Sequence, residues 1–337
     1  MAIKIDIPKQ MRAVVQSSQG GKLEIKMVDV PKPGKGQVLV KMEYASINPS
    51  DLSMLQGTYI NKPNYPIIPG IEGSGTVIAV GGGIIPAVRM GKKVSCTSSD
   101  NLGGTWAEYT LTSAMHVIPT PDNIDFKQAA SLIVNPLTAL AFVDIMAKHK
   151  TKAFVNNAAG GALGKMLIAL SIKENFDLVS IVRNDKQVES LKELGAKYVL
   201  NSSSSSFPED LKELTKKLNI TLFFDAVGGL STNDYILSGM EGSTVYLYAN
   251  LSEEKSCFDS RVLLQQNKEI KGFYLGNYSS NQGIIKTLKR IKKAQSLLKN
   301  ELKTTISKTI NIEKVEEAVN SYKTNMSQGK ILLKCSE

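Results

Sequence analysis

Two periodicities divide the chain. Up to about residue 120 the apolar residues fall in strand-length runs punctuated by Gly and Pro: "AVVQ", "QVLVKMEYASI", "GSGTVIAV", "GKKVSCTS" and "WAEYTLT". That spacing predicts a β-rich domain. From "DFKQAASLIVNPLTALAFVDIMAK" the period changes to 3.6, and short apolar runs then alternate with helical patterns. Strands are predicted at Ala153 to Asn156, Leu178 to Val182, Tyr198 to Leu200, Thr221 to Phe224, Thr244 to Tyr248 and Ile270 to Tyr274. Such alternation builds a doubly wound parallel sheet with helices on both faces. The expected fold class is therefore α/β. A sheet domain spans residues 124–275, and a β-rich domain of residues 1–123 is completed by a returning tail, 276–337.

Local signals sharpen some boundaries. A helix from Lys186 to Leu194 should end at Gly195, the residue type that takes a left-handed conformation after a last turn. Pro208 suits a first helical position, which makes the preceding serine run a surface loop rather than a linker. The stretch Lys286 to Lys303 places Leu288, Ile291, Leu297 and Leu298 near helical spacing, so it reads as one amphipathic helix with a solvated basic face. A further helix from Glu313 to Lys323 and the strand "KILLKC" close the tail.

Composition narrows the class. A chain of 337 residues is long enough for two domains, and no run of about 18 apolar residues is present to span a bilayer. The N-terminal "MAIKIDIPKQ" has neither an apolar core nor an Arg-rich pattern, so no targeting signal is expected. Cys96, Cys257 and Cys335 are too few and too dispersed for a disulfide framework, and a reducing cytoplasm is the expected setting. A net charge of +10 suits a phosphorylated or acidic partner, but the lysines are spread along the chain, and nucleic acid is not the expected partner.

The stretch "VNNAAGGALGKMLIAL", Val155 to Leu170, carries the candidate chemistry. Ala159, Gly161 and Gly164 fall on the A-x-G-x-x-G form of the dinucleotide fingerprint, directly after a strand and opening a helix. A missing Cβ at Gly161 lets the backbone approach a pyrophosphate at the positive end of the helix, while Gly164 permits close packing. The next strand runs into Arg183, where an NAD-binding sheet carries a carboxylate. A guanidinium there can pair with a 2′-phosphate, which favours NADPH; Asp185 argues mildly the other way.

The order of β-rich domain, Rossmann sheet and returning tail resembles the medium-chain dehydrogenase/reductase superfamily over nearly the whole chain. The first domain of that superfamily is GroES-like. Its zinc alcohol dehydrogenases bind a catalytic metal through a Cys and a His, but the matching segments here, Ile47 to Asp51 and Pro69 to Gly75, contain neither, so no zinc is expected. Within the superfamily, "NPSDLSMLQGTY", "GGTWAEY", "VNPLTAL" and "KGFYL" resemble the zinc-free 2-enoyl thioester reductases, with quinone reductases second. The resemblance implies a catalytic tyrosine at Tyr59, with Tyr65 as its nearby competitor. It implies NADPH contacts from Asn135, from Gly160, Gly161, Ala162 and Leu163, and from Arg183, Asn184 and Asp185. Further implied contacts are Tyr248, Ala249, Asn250 and Leu251, then Phe273, Tyr274 and Leu275, and finally Lys330. Two departures stand out: Tyr274 replaces a common tryptophan, and "INKPNYP" differs from the usual glycine-rich continuation.

The reaction this implies is hydride transfer from NADPH to the β-carbon of a 2-enoyl thioester or related enone. Tyr59 would donate a hydrogen bond to the developing enolate or pass on its proton. Two alternatives stay open: an NADPH quinone oxidoreductase, and a nucleotide-binding, RNA-associating protein with little turnover. The strands at Thr244 to Tyr248 and Ile270 to Tyr274 are expected near the sheet edge, where a second copy would make a homodimer.

Overall fold

The computed structural model describes residues 6–59, 64–98 and 103–336. Residues 1–5, the first half of the N-terminal "MAIKIDIPKQ" in which no targeting signal is expected, lie outside that set, as does the Ile60 to Pro63 part of the "INKPNYP" departure. Fifteen strands are described: β1 Gln10–Gln16, β2 Leu23–Asp29, β3 Gln37–Ser46, β4 Glu72–Val80, β5 Lys93–Thr97, β6 Tyr109–Ser113, β7 Val117–Pro119, β8 Ala153–Asn156, β9 Asp177–Val182, β10 Tyr198–Asn201, β11 Leu222–Asp225, β12 Thr244–Leu247, β13 Glu269–Gly272, β14 Ile306–Asn311 and β15 Lys330–Lys334. They belong to two compact units, one of residues 1–134 and 303–337, the other Asn135–Leu302.

The first unit is β-rich. Its main sheet runs β14-β15-β3-β4-β5-β7, with β6 also paired to β3, and β1 and β2 form a separate antiparallel pair. Its core gathers Val38, Val40, Met42, Val77, Ile331 and Leu333 from strand positions, with Val38, Val40 and Met42 on β3 and Ile331 and Leu333 on β15 alternating, the period-2 arrangement of a sheet with one face inward. Trp106 is fully buried, and its indole N–H donates to the Ser46 carbonyl at 3.2 Å. A buried Trp needs such a partner. Helix Val315–Asn325 lays Val315, Ala318, Val319 and Tyr322 on this core, at the i, i+3, i+4, i+7 spacing of one helical face.

The second unit is a six-stranded parallel sheet of order β10-β9-β8-β11-β12-β13. That order reverses at β8, which makes the carboxyl ends of β8 and β11 the topological switch point. All four residues of β8 and of β11 are buried, because central strands of a parallel sheet are covered on both faces. β13 is the sheet edge, and β12 lies one strand inside it. Helix Val134–Lys148 is buried on almost every side, with Pro136 tolerated in its first turn.

The units do not divide at residues 123 and 275. Residues 124–134 pack with the β-rich unit: Ser46 Oγ donates to the Ala130 carbonyl at 2.8 Å, Ser74 Oγ donates to the Phe126 carbonyl at 2.6 Å, and the Ile133 and Val134 amides donate to Glu72. Residues 276–302 stay with the parallel sheet. Arg290 explains this, because its guanidinium is buried and grips Asp144 through Nε at 3.0 Å and Nη2 at 2.7 Å. The return to the first unit begins near Lys303, with β14 and β15. The basic helix is shorter than expected, Ile284–Leu297, and buries Ala294 and Leu297.

Candidate functional site

In the parallel-sheet unit, the turn from β8 to helix Ala162–Glu174 places Gly161 as the residue before the first helical turn. Its amide donates to the Ala158 carbonyl at 3.0 Å. A Cβ on Gly161 would meet only the Ala158 oxygen, at 3.3 Å, so open space lies above the turn. Gly164 is different. A Cβ there would collide with the Ala159 carbonyl oxygen and Cα, so its glycine is required by the turn packing against its own helix. The amides of Ala162 and Leu163 head the helix with no intrahelical acceptor. This geometry fits a pyrophosphate.

At the end of β9, Arg183 is exposed, and its guanidinium has no hydrogen-bond or ion-pair partner among the described residues; its backbone amide donates to Gln187 Oε1 at 3.2 Å. Asn184 Oδ1 accepts from the Gln187 amide at 3.0 Å and caps the helix Asp185–Glu193. Asp185 accepts from Asn201 Nδ2 at 2.8 Å. The carboxylate that argued for NAD is thus engaged by a neighbouring strand end, while the guanidinium beside it is available.

Tyr248 to Leu251 follow β12, and Phe273 to Leu275 follow β13. The Tyr248 hydroxyl donates to Asn156 Oδ1 at 3.1 Å, and burial pushes its proton affinity up. Phe273 stands edge-on to Phe142 with ring centroids 5.0 Å apart, and Tyr274 precedes the first turn of helix Leu275–Gln282. The residues at 160–163, 183–185, 248–251 and 273–275 therefore share the carboxyl end of one parallel sheet, where open α/β sheets bind ligands. Asn135 is the second residue of helix Val134–Lys148.

Buried polar residues that sequence reasoning missed lie beneath this edge. Asp225, fully buried at the end of β11, accepts from Asn157 Nδ2 at 2.6 Å, from the Val227 and Gly228 amides at 2.8 and 2.9 Å, and from Thr232 Oγ1 at 2.8 Å. Asn157, buried at the end of β8, returns an acceptor to the Ala226 amide at 2.7 Å. The signal was present in "FFDAVGG", an acid directly after an apolar strand and before two glycines that take positive φ.

In the β-rich unit, Tyr59 is a half-buried bend residue shortly after helix Pro49–Leu55. The Tyr65 hydroxyl is buried without a hydrogen-bond partner among the described residues, and burial raises its pKa. Lys330, implied as a cofactor contact, lies on β15 of the β-rich unit. It is 1% exposed, and its ammonium donates to Asn48 Oδ1 at 2.5 Å and to the Ile47 carbonyl at 3.2 Å. The reason is charge: Asp51 and Glu72 are buried beside it, and a sealed pair of carboxylates requires a cation. Asn48 Nδ2 donates to Glu72 Oε1 at 3.1 Å, and the Asn48 and Ile71 amides donate to Asp51 at 2.7 and 2.8 Å. These residues do not fit a zinc ion. Neither matching segment supplies Cys or His, and the Asn48 carboxamide is engaged on both sides, by Glu72 and by the Lys330 ammonium.

A dinucleotide-type parallel sheet and a β-rich unit with a returning tail define a two-unit dehydrogenase or reductase framework. Residues 34–122 match the alcohol dehydrogenase GroES-like domain, and residues 162–291 match the zinc-binding dehydrogenase domain. A Mesorhizobium loti structure provisionally assigned as an NADPH:quinone reductase is 30% identical, with a TM-score of 0.91 over 98% of this chain and 100% of that one. A Bacillus thuringiensis structure with the same provisional assignment is 27% identical, with a TM-score of 0.84 over 96% and 99%. Mouse mitochondrial enoyl-[acyl-carrier-protein] reductase is 29% identical over 283 residues, 81% of this chain and 75% of that protein. The chain belongs to the medium-chain dehydrogenase/reductase superfamily.

Proposed function

We propose that this protein is an NADPH-dependent reductase that delivers hydride to the β-carbon of 2-enoyl thioesters or related α,β-unsaturated carbonyls. The observation that carries the reading is Arg183, an exposed guanidinium at the end of β9 whose neighbouring acid Asp185 is held by Asn201. A 2′-phosphate is the ligand group such a donor selects. The coenzyme supplies the hydride, and this chain's residues bind and orient it. Gly160, Gly161, Ala162 and Leu163 receive the pyrophosphate, Arg183, Asn184 and Asp185 surround the adenosine phosphate, and Tyr248 to Leu251, Phe273 to Leu275 and Asn135 complete the site. Tyr59 donates to the oxygen on which negative charge develops, since a phenol with an ordinary pKa near 10 stays protonated at neutral pH. Lys330, the remaining implied contact, also holds Asn48 and balances Asp51 and Glu72.

The likeness to enoyl reductase and quinone reductase relatives keeps quinone reduction as a second reading. The test follows NADPH and NADH absorbance with crotonyl-CoA, a simple enone and a quinone, for wild type and Tyr59→Phe. Thioester turnover with NADPH that falls by about two orders of magnitude or more in the variant supports the first reading. Quinone turnover indifferent to the variant supports the second.

A homodimer is part of this proposal. β13 is an open sheet edge with mostly exposed residues, and exposed Phe258 and Leu264 precede it in the chain. Equilibrium sedimentation giving a single species of monomer mass would refute it. No described helix is long and apolar enough to cross a membrane. The proposed setting is the cytoplasm, consistent with an exposed free thiol at Cys257.

A further inference from the structure

The loop proposed to meet the cofactor, 248–252, has few anchors of its own beyond the Tyr248 hydroxyl, which donates to Asn156 Oδ1 at 3.1 Å. Tyr248 is half-buried, while Asn250 and Leu251 are exposed. Its backbone is instead laid on the turn that follows β11. The Tyr248 amide donates to the Asp225 carbonyl at 2.9 Å, the Leu251 amide to the Ala226 carbonyl at 2.9 Å, and the Ser252 amide to the Val227 carbonyl at 3.0 Å. Three consecutive carbonyls of one turn therefore set the path of the other loop.

The turn is in its own right held from beneath. The Asp225 carboxylate collects the Val227 and Gly228 amides and the Asn157 amide group, and Asn157 Oδ1 fixes the Ala226 amide. Gly228 has φ +70, and a Cβ there would collide with Asn250 Oδ1. The left-handed backbone requires glycine at 228, and a Cβ there would in addition have to displace the exposed Asn250 side chain.

We infer that Asp225 and Gly228 are positioning residues for the cofactor loop: the end of β8, through Asn157, and the end of β11 set where residues 248–252 lie. The inference rests on the proposed NADPH reading only for what the loop binds, not for how it is held. A carboxylate saturated by fixed donors is rigid, and preorganisation of a binding loop lowers the cost of ordering it on binding.

The test uses the full chain and the variants Gly228→Ala, Asn250→Gly, their double mutant, and Asp225→Asn. NADPH affinity is measured by calorimetry, melting temperature by circular dichroism, and amide exchange of a peptide spanning 246–254 without cofactor by mass spectrometry. Gly228→Ala should weaken NADPH about tenfold and speed exchange at Leu251 and Ser252. Removing the Asn250 side chain in the double mutant should recover the part of both effects that comes from the collision with Asn250, while the cost of the left-handed backbone at residue 228 remains. A folded Gly228→Ala with wild-type affinity and exchange, or a double mutant without recovery, overturns the inference. If Gly228→Ala does not fold, Asp225→Asn decides: faster exchange across 248–252 supports it, and unchanged exchange overturns it. If wild type binds no NADPH, the functional reading fails while the exchange measurements still decide this one.

Discussion

The Lys330 ammonium and the Asn48 carboxamide oxygen lie 2.5 Å apart, both side chains sealed from water. Around them stand two buried carboxylates. Asp51 is pushed up to about 7, first by burial, against the pull of the Asn48 amide and of Lys330. Glu72 is raised by burial too, and burial lowers Lys330. Tyr322, whose ring lies 5.9 Å from the Lys330 ammonium, and Cys96 are raised and stay neutral, so they contribute no charge at ordinary pH. The cluster holds two acids against one cation, and its excess negative charge favours keeping a proton.

This fixes the pH dependence of stability. A carboxyl whose folded pKa exceeds its unfolded value keeps its proton in the folded state after the unfolded chain has lost it. Stability should therefore fall as pH rises from the ordinary carboxylate range to about 7, and then level off. Urea unfolding of wild type at intervals between pH 4 and 8 measures this. Asp51→Asn should flatten the profile, and an unchanged slope in that variant would show that another group controls it.

Lys330→Met should be costly. Removing one partner from a buried charge cluster leaves the other charges uncompensated, typically at about 3–5 kcal/mol. The loss should be greater at pH 8 than at pH 5, because protonation relieves the stranded acids. A loss equal at both pH values would mean that Lys330 matters for packing and for its hydrogen bonds to Asn48 and Ile47, not for charge.

The two glycines of the β8 turn should separate binding from stability. Gly164→Ala forces a methyl group into the Ala159 backbone, which cannot yield as a flexible side chain would, and should destabilise by about 1–3 kcal/mol. Gly161→Ala meets only one oxygen at 3.3 Å, so its melting temperature should stay near wild type while NADPH binding falls sharply, because the methyl group enters the space proposed for the pyrophosphate. Equal effects of the two substitutions on both melting and binding would remove the distinction.

Much of this was legible in the sequence because the parallel sheet writes itself as short apolar runs. All six strands β8 to β13 fall within two residues of their predicted bounds. Gly195, predicted to end a helix, takes φ +89. β2 was not read, since "LEIKMVD" is half exposed along its length and pairs only with β1. The misplaced boundary at 276 has a similar cause. Arg290 joins the basic helix to the sheet unit through Asp144, 146 residues earlier, and no local pattern carries that contact. Lys330 enters from sequence only through the family resemblance; the fold brings it beside Asn48, 282 residues away. The carboxyl edge of the sheet was legible because its residues follow strands, whereas Asn157 and Asp225 act from below, through partners far apart in the chain.

Coenzyme choice is the sharpest remaining test, and it turns on a side chain that contributes little to the fold. Arg183 is exposed, and among the described residues its bonds are made by its backbone: the amide to Gln187 and the carbonyl to Ser203 Oγ at 2.9 Å. Arg183→Ala should therefore leave the melting temperature within about 1 °C of wild type, as expected of a surface substitution. Charge-assisted hydrogen bonds to a phosphate are worth about 1.5–3 kcal/mol, so NADPH affinity should fall about ten- to a hundredfold while NADH affinity stays constant. Asp185→Ala should not change coenzyme preference, because that carboxylate is engaged by Asn201. Calorimetric titration of both variants with both coenzymes decides the matter. Equal losses for NADPH and NADH in Arg183→Ala would assign the guanidinium to the adenine face rather than to the 2′-phosphate.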